Sequence, residues 1–348
     1  MQSRVPLLDL ATRVAAEAAQ QRGDVWAAFL AGSVGKGEVS YYTDLDIWYL
    51  VTSLQRGFAG WGHEQREGVY VAPTVHAQID FSSLERLDQN PVYKLSLTES
   101  VVLYDPTGEL SRLQASARAD LRDHGKHRAL VARMLDRNLQ QWQEQAAPSP
   151  FFGNPTVTTL ERVNIFLNSV FCALTMQTPT RRRRLVRMQE TAAALGVPGL
   201  YALVLAIHGV EGVTLADARA LFDNALAVDS ALDDALANRR IDLKSMGLNS
   251  RDVIDWDREY LRRGVQDLLF EGRHHNAAFL AAHWSDKAHH AMERSGPVTP
   301  AAEDAYRQIL DRLGYSRAEE VAAKQLLIDE YIRRIQALVD VGLTSAPP

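Results

Sequence analysis

Residues Phe29 to Val51 read FLAGSVGKGEVSYYTDLDIWYLV, and the fold turns on them. An apolar run, Asp24 to Ala31 (DVWAAFLA), stops at Gly32-Ser33. After a loop of ten residues, Asp44-Leu45-Asp46 opens a second run, Asp44 to Val51 (DLDIWYLV), rich in β-formers. Side chains alternate along a strand, so Asp44 and Asp46 project from one face, roughly 6.5 to 7 Å apart at the backbone.

Two more strands are expected outward from this stretch. Val75 to Phe81 (VHAQIDF) alternates, with Val75, Ala77, Ile79 and Phe81 on one face and His76, Gln78 and Asp80 on the other. Ser100 to Tyr104 (SVVLY) ends at the turn Asp105-Pro106-Thr107-Gly108. The opening segment carries Leu7, Leu8, Leu10, Val14 and Ala18 among Asp9, Arg13 and Glu17, the pattern of an amphipathic helix and not of a signal peptide. Beyond about residue 112 the periodicity is helical, at Lys126 to Gln145, Thr156 to Gln177, and about 182–195, 214–228, 251–270, 275–293, 300–313 and 317–341. Thr214 with Asp217, and Ser316 with Glu319, read as helix caps. The expected architecture is α+β: a small mixed sheet with flanking helices over 1–112, then a large all-helical region over 113–345, dividing into two lobes near 209–212.

The 348 residues are 46% hydrophobic and 23% charged, which suits a globular chain of two domains and excludes disorder as the main state. A net charge of −5 argues against a surface that coats nucleic acid, so no broad nucleic-acid binding is expected. The lone Cys172 cannot form an intramolecular disulfide, and the expected location is the cytoplasm. No apolar run reaches the roughly 20 residues that cross a bilayer, so no membrane partner is expected. A homodimer is left open.

Two carboxylates on one strand face suit hard cations. Mg²⁺ is usually held by one or two carboxylates plus substrate phosphates. Gly32 lets backbone approach a phosphate closely, and the Ser33 hydroxyl can donate to its oxygens. Lys36, in the loop, is a candidate to reach the triphosphate. Asp80 is the candidate third carboxylate, and three acids from two strands could clamp the attacking and leaving oxygens of a phosphoryl-type transfer through two ions. The stretch is not a Walker A loop, since Gly32-Ser-Val-Gly-Lys-Gly-Glu lacks the GxxxxGK followed by Ser or Thr.

Ala31-Gly32-Ser33, the ten-residue loop, Asp44-Leu45-Asp46 and the later Asp80 in QIDF resemble the signature of the DNA-polymerase-beta-like nucleotidyltransferase superfamily. A strand domain followed by helices, with Leu103 to Gly108 (LYDPTG) after a strand, is similar in layout to the antibiotic nucleotidyltransferases of the kanamycin type. The resemblance covers about residues 25–110. It implies transfer of a nucleoside monophosphate, with ATP the expected donor, from the NTP to a hydroxyl of a small acceptor such as an antibiotic, with Mg²⁺ required and pyrophosphate released. Asp44, Asp46 and Asp80 would bind metal, Asp80 would also orient or deprotonate the acceptor, and the helical region would form the other wall of the acceptor cleft. It further implies a base on the first long helix after the strands, for which Asp136 is the candidate, although Leu139 and Gln140 stand at the matching offset. The alternatives are nucleotidylation of a protein or RNA, and a nucleotide-binding regulatory module without turnover.

Other features point less sharply. Arg181 to Arg184 with Arg187 could contact a triphosphate, though a solvated helix face is the commoner meaning of such a run. His283, Asp286 and His290 fall on one helical face among further histidines from His274 on, without a strong metal spacing. Asp223, Asp229, Asp233, Asp234 and Asp242 form an acidic stretch, and Cys172 reads as a buried small hydrophobe.

Overall fold

The structure, a computed structural model, describes residues 4–39, 43–54, 64–144, 152–238 and 251–341. In chain order the elements are α1 (Arg4–Arg22), β1 (Val25–Leu30), α2 (Gly32–Lys36), β2 (Leu45–Val51), β3 (Glu64–Arg66), β4 (Val69–Ala77), α3 (Leu84–Gln89), α4 (Pro91–Glu99), β5 (Val101–Tyr104), α5 (Glu109–Arg122) and α6 (His124–Glu144). They continue as α7 (Pro155–Arg162), α8 (Asn168–Ala173), α9 (Arg184–Ala194), α10 (Pro198–Ile207), α11 (Leu215–Ala237), α12 (Arg251–Phe270), α13 (His274–Glu293), α14 (Pro300–Leu313) and α15 (Ala318–Val341). The chain is therefore α+β, with a mixed sheet early and helices after it.

Two compact units share it. The first is Met1–Asp136 with Met176–Thr180, and the second is Arg137–Thr175 with Arg181–Pro348. The first thus runs past residue 112, and residues 209–212 stay inside the second.

In the first unit the strand order is β3-β4-β2-β1-β5. β1 runs antiparallel to β2 and β5, and β2 parallel to β4. Because Leu30 pairs with Ile47, the end of β1 meets the start of β2. One face, built by Leu30, Leu45, Ile47, Tyr49 and Val71, packs with Leu7, Leu10 and Val14 of α1. The other carries Ala27, Phe29 and Leu50, which pack with Leu87 of α3, Leu97 of α4 and Leu110 of α5.

Several expectations need correction. The β3–β4 hairpin was not foreseen: Glu67 and Gly68 both take positive φ (51° and 78°), the two-residue turn that matches strand twist, but Glu is an unusual occupant of its first position. Pro73 sits in β4 beyond the reach of β3, which pairs only as far as Val71, so its missing N–H costs no ladder bond there. The expected strand 75–81 ends at Ala77, and Gln78–Phe81 is a 3₁₀ turn that buries Phe81 and exposes Ile79. β2 stops at Val51, opposite Ala77, so no parallel partner continues the ladder. Helices α3, α4, α5 and α10 were also missed, the first two because helices of 6 and 9 residues on either side of Asn90 carry little periodic signal.

In the second unit the expected helix 156–177 is broken into α7, a π turn at Val163–Leu167, and α8. Thr214 and Asp217 form the expected reciprocal cap of α11. The Ser316 hydroxyl instead donates to Asp311. Gln145 and Asp242 lie outside the described residues.

Candidate functional site

The sheet brings the two halves of the sequence signal together. The Ala31 N–H donates to the Asp46 carbonyl at 2.9 Å, extending the β1–β2 ladder by one bond. Gly32 follows with φ of 63°, a conformation that favours glycine. A Cβ built there would lie 1.8 Å from Asp46 Oδ2. The glycine α-carbon is thus packed directly against the carboxylate, and no side chain fits between them. Leu45 and Ile47 bury against α1, so Asp46 projects from the opposite face. Asp44, one residue before β2, shares that face by the same alternation and is buried.

Residues 32–36, expected as open loop, form the short helix α2. Arg4 holds its end, donating from Nε to the Val34 carbonyl (3.1 Å) and from Nη2 to the Gly35 carbonyl (2.7 Å). The Ser33 side chain is more than nine-tenths buried, and its hydroxyl oxygen has no hydrogen-bond partner. A buried hydroxyl without a partner forfeits about 1–3 kcal/mol of solvation, and this one follows directly on the glycine packed against Asp46. Lys36 ends α2 and pairs with Glu99 at 3.1 Å while donating to Thr178 Oγ1 at 2.6 Å. Its ammonium is engaged by these groups.

Asp80 is not brought to the pair. On β4 the residue opposite Asp46 is Ala72, and the strand runs five residues further to Ala77 before the turn that carries Asp80. At about 3.3 Å per residue that is about 16 Å along the sheet. Among the described residues no three acids, histidines or cysteines gather to hold a metal ion. The metal-binding candidates reduce to Asp44 and Asp46, a set that suits Mg²⁺ shared with phosphates. Asp80 instead neighbours His76, whose pKa is lowered to about 4 by burial, with the Asp80 charge opposing the shift. The His76 ring lies 4.3 Å from Trp48, and its Nδ1 is 3.1 Å from the Tyr93 hydroxyl.

Asp136 is on the exposed side of α6. Nearby on α6, Arg133 pairs with Asp88 and Gln140 donates to Glu144. In the LYDPTG segment, Asp105 accepts from the Ser111 N–H (2.8 Å) and hydroxyl (2.7 Å), so it caps α5.

In the second unit two members of the arginine run have internal partners: Arg182 lies 4.3 Å over the Tyr260 ring and Arg183 pairs with Glu271. Arg258 bridges Asp229 (2.5 Å) and Asp233 (2.6 Å) of the acidic stretch. His283 faces Glu161 at 3.1 Å, and His289 faces Glu303 at 2.7 Å. Asp286 accepts from the Tyr306 hydroxyl and from the Gly153 and Asn154 N–H groups, both at 3.2 Å. Cys172 is buried, as its apolar neighbours suggested. No helix of the described residues is long and apolar enough to cross a membrane. Comparison with known protein families and with curated proteins gave no match.

Proposed function

We propose that the chain is a metal-dependent nucleotidyltransferase that moves a nucleoside monophosphate, AMP from ATP in the first instance, onto a hydroxyl of a small acceptor. The observation that carries this reading is the packing of Gly32 against the Asp46 carboxylate, with the unpartnered Ser33 hydroxyl next in the chain. Acids, a backbone free of side chain and a spare donor are together what a metal-bound triphosphate requires.

Asp44 and Asp46 would hold Mg²⁺, which when bound offsets the triphosphate charge and polarises the phosphoryl oxygens. Ser33 donates its hydroxyl proton to a phosphate oxygen, and Gly32 keeps the approach open. The acceptor oxygen forms a bond to the α-phosphorus, the bridge to the β-phosphate breaks, and pyrophosphate leaves. The acceptor proton passes to a base, for which Asp136 is the proposed residue, tested by loss of turnover without loss of nucleotide affinity in Asp136→Asn.

Labelled NTPs, Mg²⁺ and a panel of hydroxylated acceptors, assayed for pyrophosphate, test the reaction. Asp44→Asn and Asp46→Asn are expected to remove most turnover, because an uncharged ligand cannot balance the cation and the triphosphate, with melting curves recorded alongside. Full activity in either variant would refute the reading, and nucleotide binding without pyrophosphate release would favour a regulatory module.

A further inference from the structure

The face of the sheet that carries Asp46 continues past it. β2 and β4 run side by side from Asp46 and Ala72 to Trp48 and Thr74, then to Leu50 and His76. Leu50 is fully buried, whereas Thr74 is exposed and Trp48 and His76 are half-buried. The ledge is flanked on the same face: Phe29, opposite Trp48 on β1, packs on it at 5.3 Å, and the Tyr93 ring of α4 meets Trp48 edge-on at 5.8 Å. At its far end stands Asp80, partly exposed, whose carboxylate forms no hydrogen bond or ion pair among the described residues.

These groups form a line: carboxylates and the Gly32 turn first, an aromatic ledge next, and an unengaged acceptor oxygen last. Trp48 lies about 7 Å along the strand from Asp46, a separation that a ribose can span. A planar ring over an indole gains from stacking, and a carboxylate at its edge accepts from an amino group. We infer that the Trp48–Thr74–His76 ledge seats the nucleobase of the donor nucleotide, and that Asp80 accepts a hydrogen bond from an exocyclic amino group of that base. The inference rests on the nucleotidyltransferase reading and gives Asp80 a role in base selection in place of metal binding. It favours amino-bearing bases over uracil, thymine and hypoxanthine.

Calorimetric titration of the full chain with Mg²⁺ and, in turn, ATP, inosine triphosphate and tripolyphosphate tests it. Wild type is expected to bind ATP more tightly than inosine triphosphate, which lacks the amino group. Asp80→Ala, a change at a partly exposed turn, is expected to weaken ATP about tenfold, the scale of a hydrogen bond to a charged group, and to leave inosine triphosphate and tripolyphosphate unchanged. Trp48→Leu is expected to weaken both nucleotides about tenfold and tripolyphosphate not at all, with its melting temperature checked alongside. An unchanged ratio of ATP to inosine triphosphate in Asp80→Ala would overturn the inference, as would a loss of tripolyphosphate binding, which would return Asp80 to the metal. Wild-type protein that binds none of the three would overturn the nucleotidyltransferase reading and this inference with it.

Discussion

A methyl group added at Gly32 has nowhere to go. Its site is 1.8 Å from Asp46 Oδ2, and the backbone there is left-handed, which alone costs an L-residue about 1–2 kcal/mol. Gly32→Ala is expected to lower the melting temperature and, by displacing the Asp46 carboxylate, to abolish Mg²⁺-dependent nucleotide binding. Ser33→Ala separates the two effects. It removes a buried hydroxyl that has no partner, so stability should hold or rise, while nucleotide affinity falls by about 1.5–3 kcal/mol, one hydrogen bond to a charged group. Melting curves and titration of both variants check the contrast. The approach of Gly32 to Asp46 follows from the two apolar runs of the sequence, because pairing β1 antiparallel to β2 sets the end of one beside the start of the other. The separation of Asp80 does not, since alternation at 75–81 carries no information about which residue of β2 lies opposite.

At the scale of elements, α3, α4 and α5 are tied by one lysine. Lys94 is 2% exposed, with Nζ 2.7 Å from Asp88 and 3.1 Å from Asp120. Lys94→Met keeps the apolar stem and leaves Asp88 with Arg133 and Asp120 with Lys126, so it is expected to cost about 1 kcal/mol, the upper end for a solvent-screened pair. Denaturant unfolding measures it. Such a tie cannot be read from sequence: Lys94 looks like any surface lysine of a short helix until the acids from α3 and α5 close on it. Long helices were legible for the opposite reason, because α11 and α13 repeat their apolar positions over five or more turns. The contacts of Arg182 and Arg183 could not be read from sequence, because Tyr260 and Glu271 lie some 80 residues away.

For the whole molecule, the helical unit carries its own pH dependence. Burial raises the Asp286 carboxyl from its ordinary value to about 6, against the opposing hydrogen bonds from Tyr306, Asn154 and Gly153. A carboxyl whose folded pKa is raised favours the folded state when protonated, so its contribution is full below about pH 4 and is lost as pH rises through about 6. Asp286→Asn cannot ionise. The gap in melting temperature between wild type and this variant is therefore expected to narrow from pH 4 to pH 6.5, and a constant gap would show that Asp286 titrates normally.

The short return of Met176–Thr180 to the first unit sets the order of events on the ribosome. Thr178 donates its N–H to Glu99 at 3.1 Å, and Lys36 completes the contact. The strands and α1 to α5 emerge first, but this clasp waits for roughly forty more residues after Asp136. At about 5–20 residues per second that is a delay of a few seconds, in which Glu99 lacks the N–H and hydroxyl of Thr178. A released chain ending at Asp136 should therefore be more open to protease at the α4–β5 junction than the full chain.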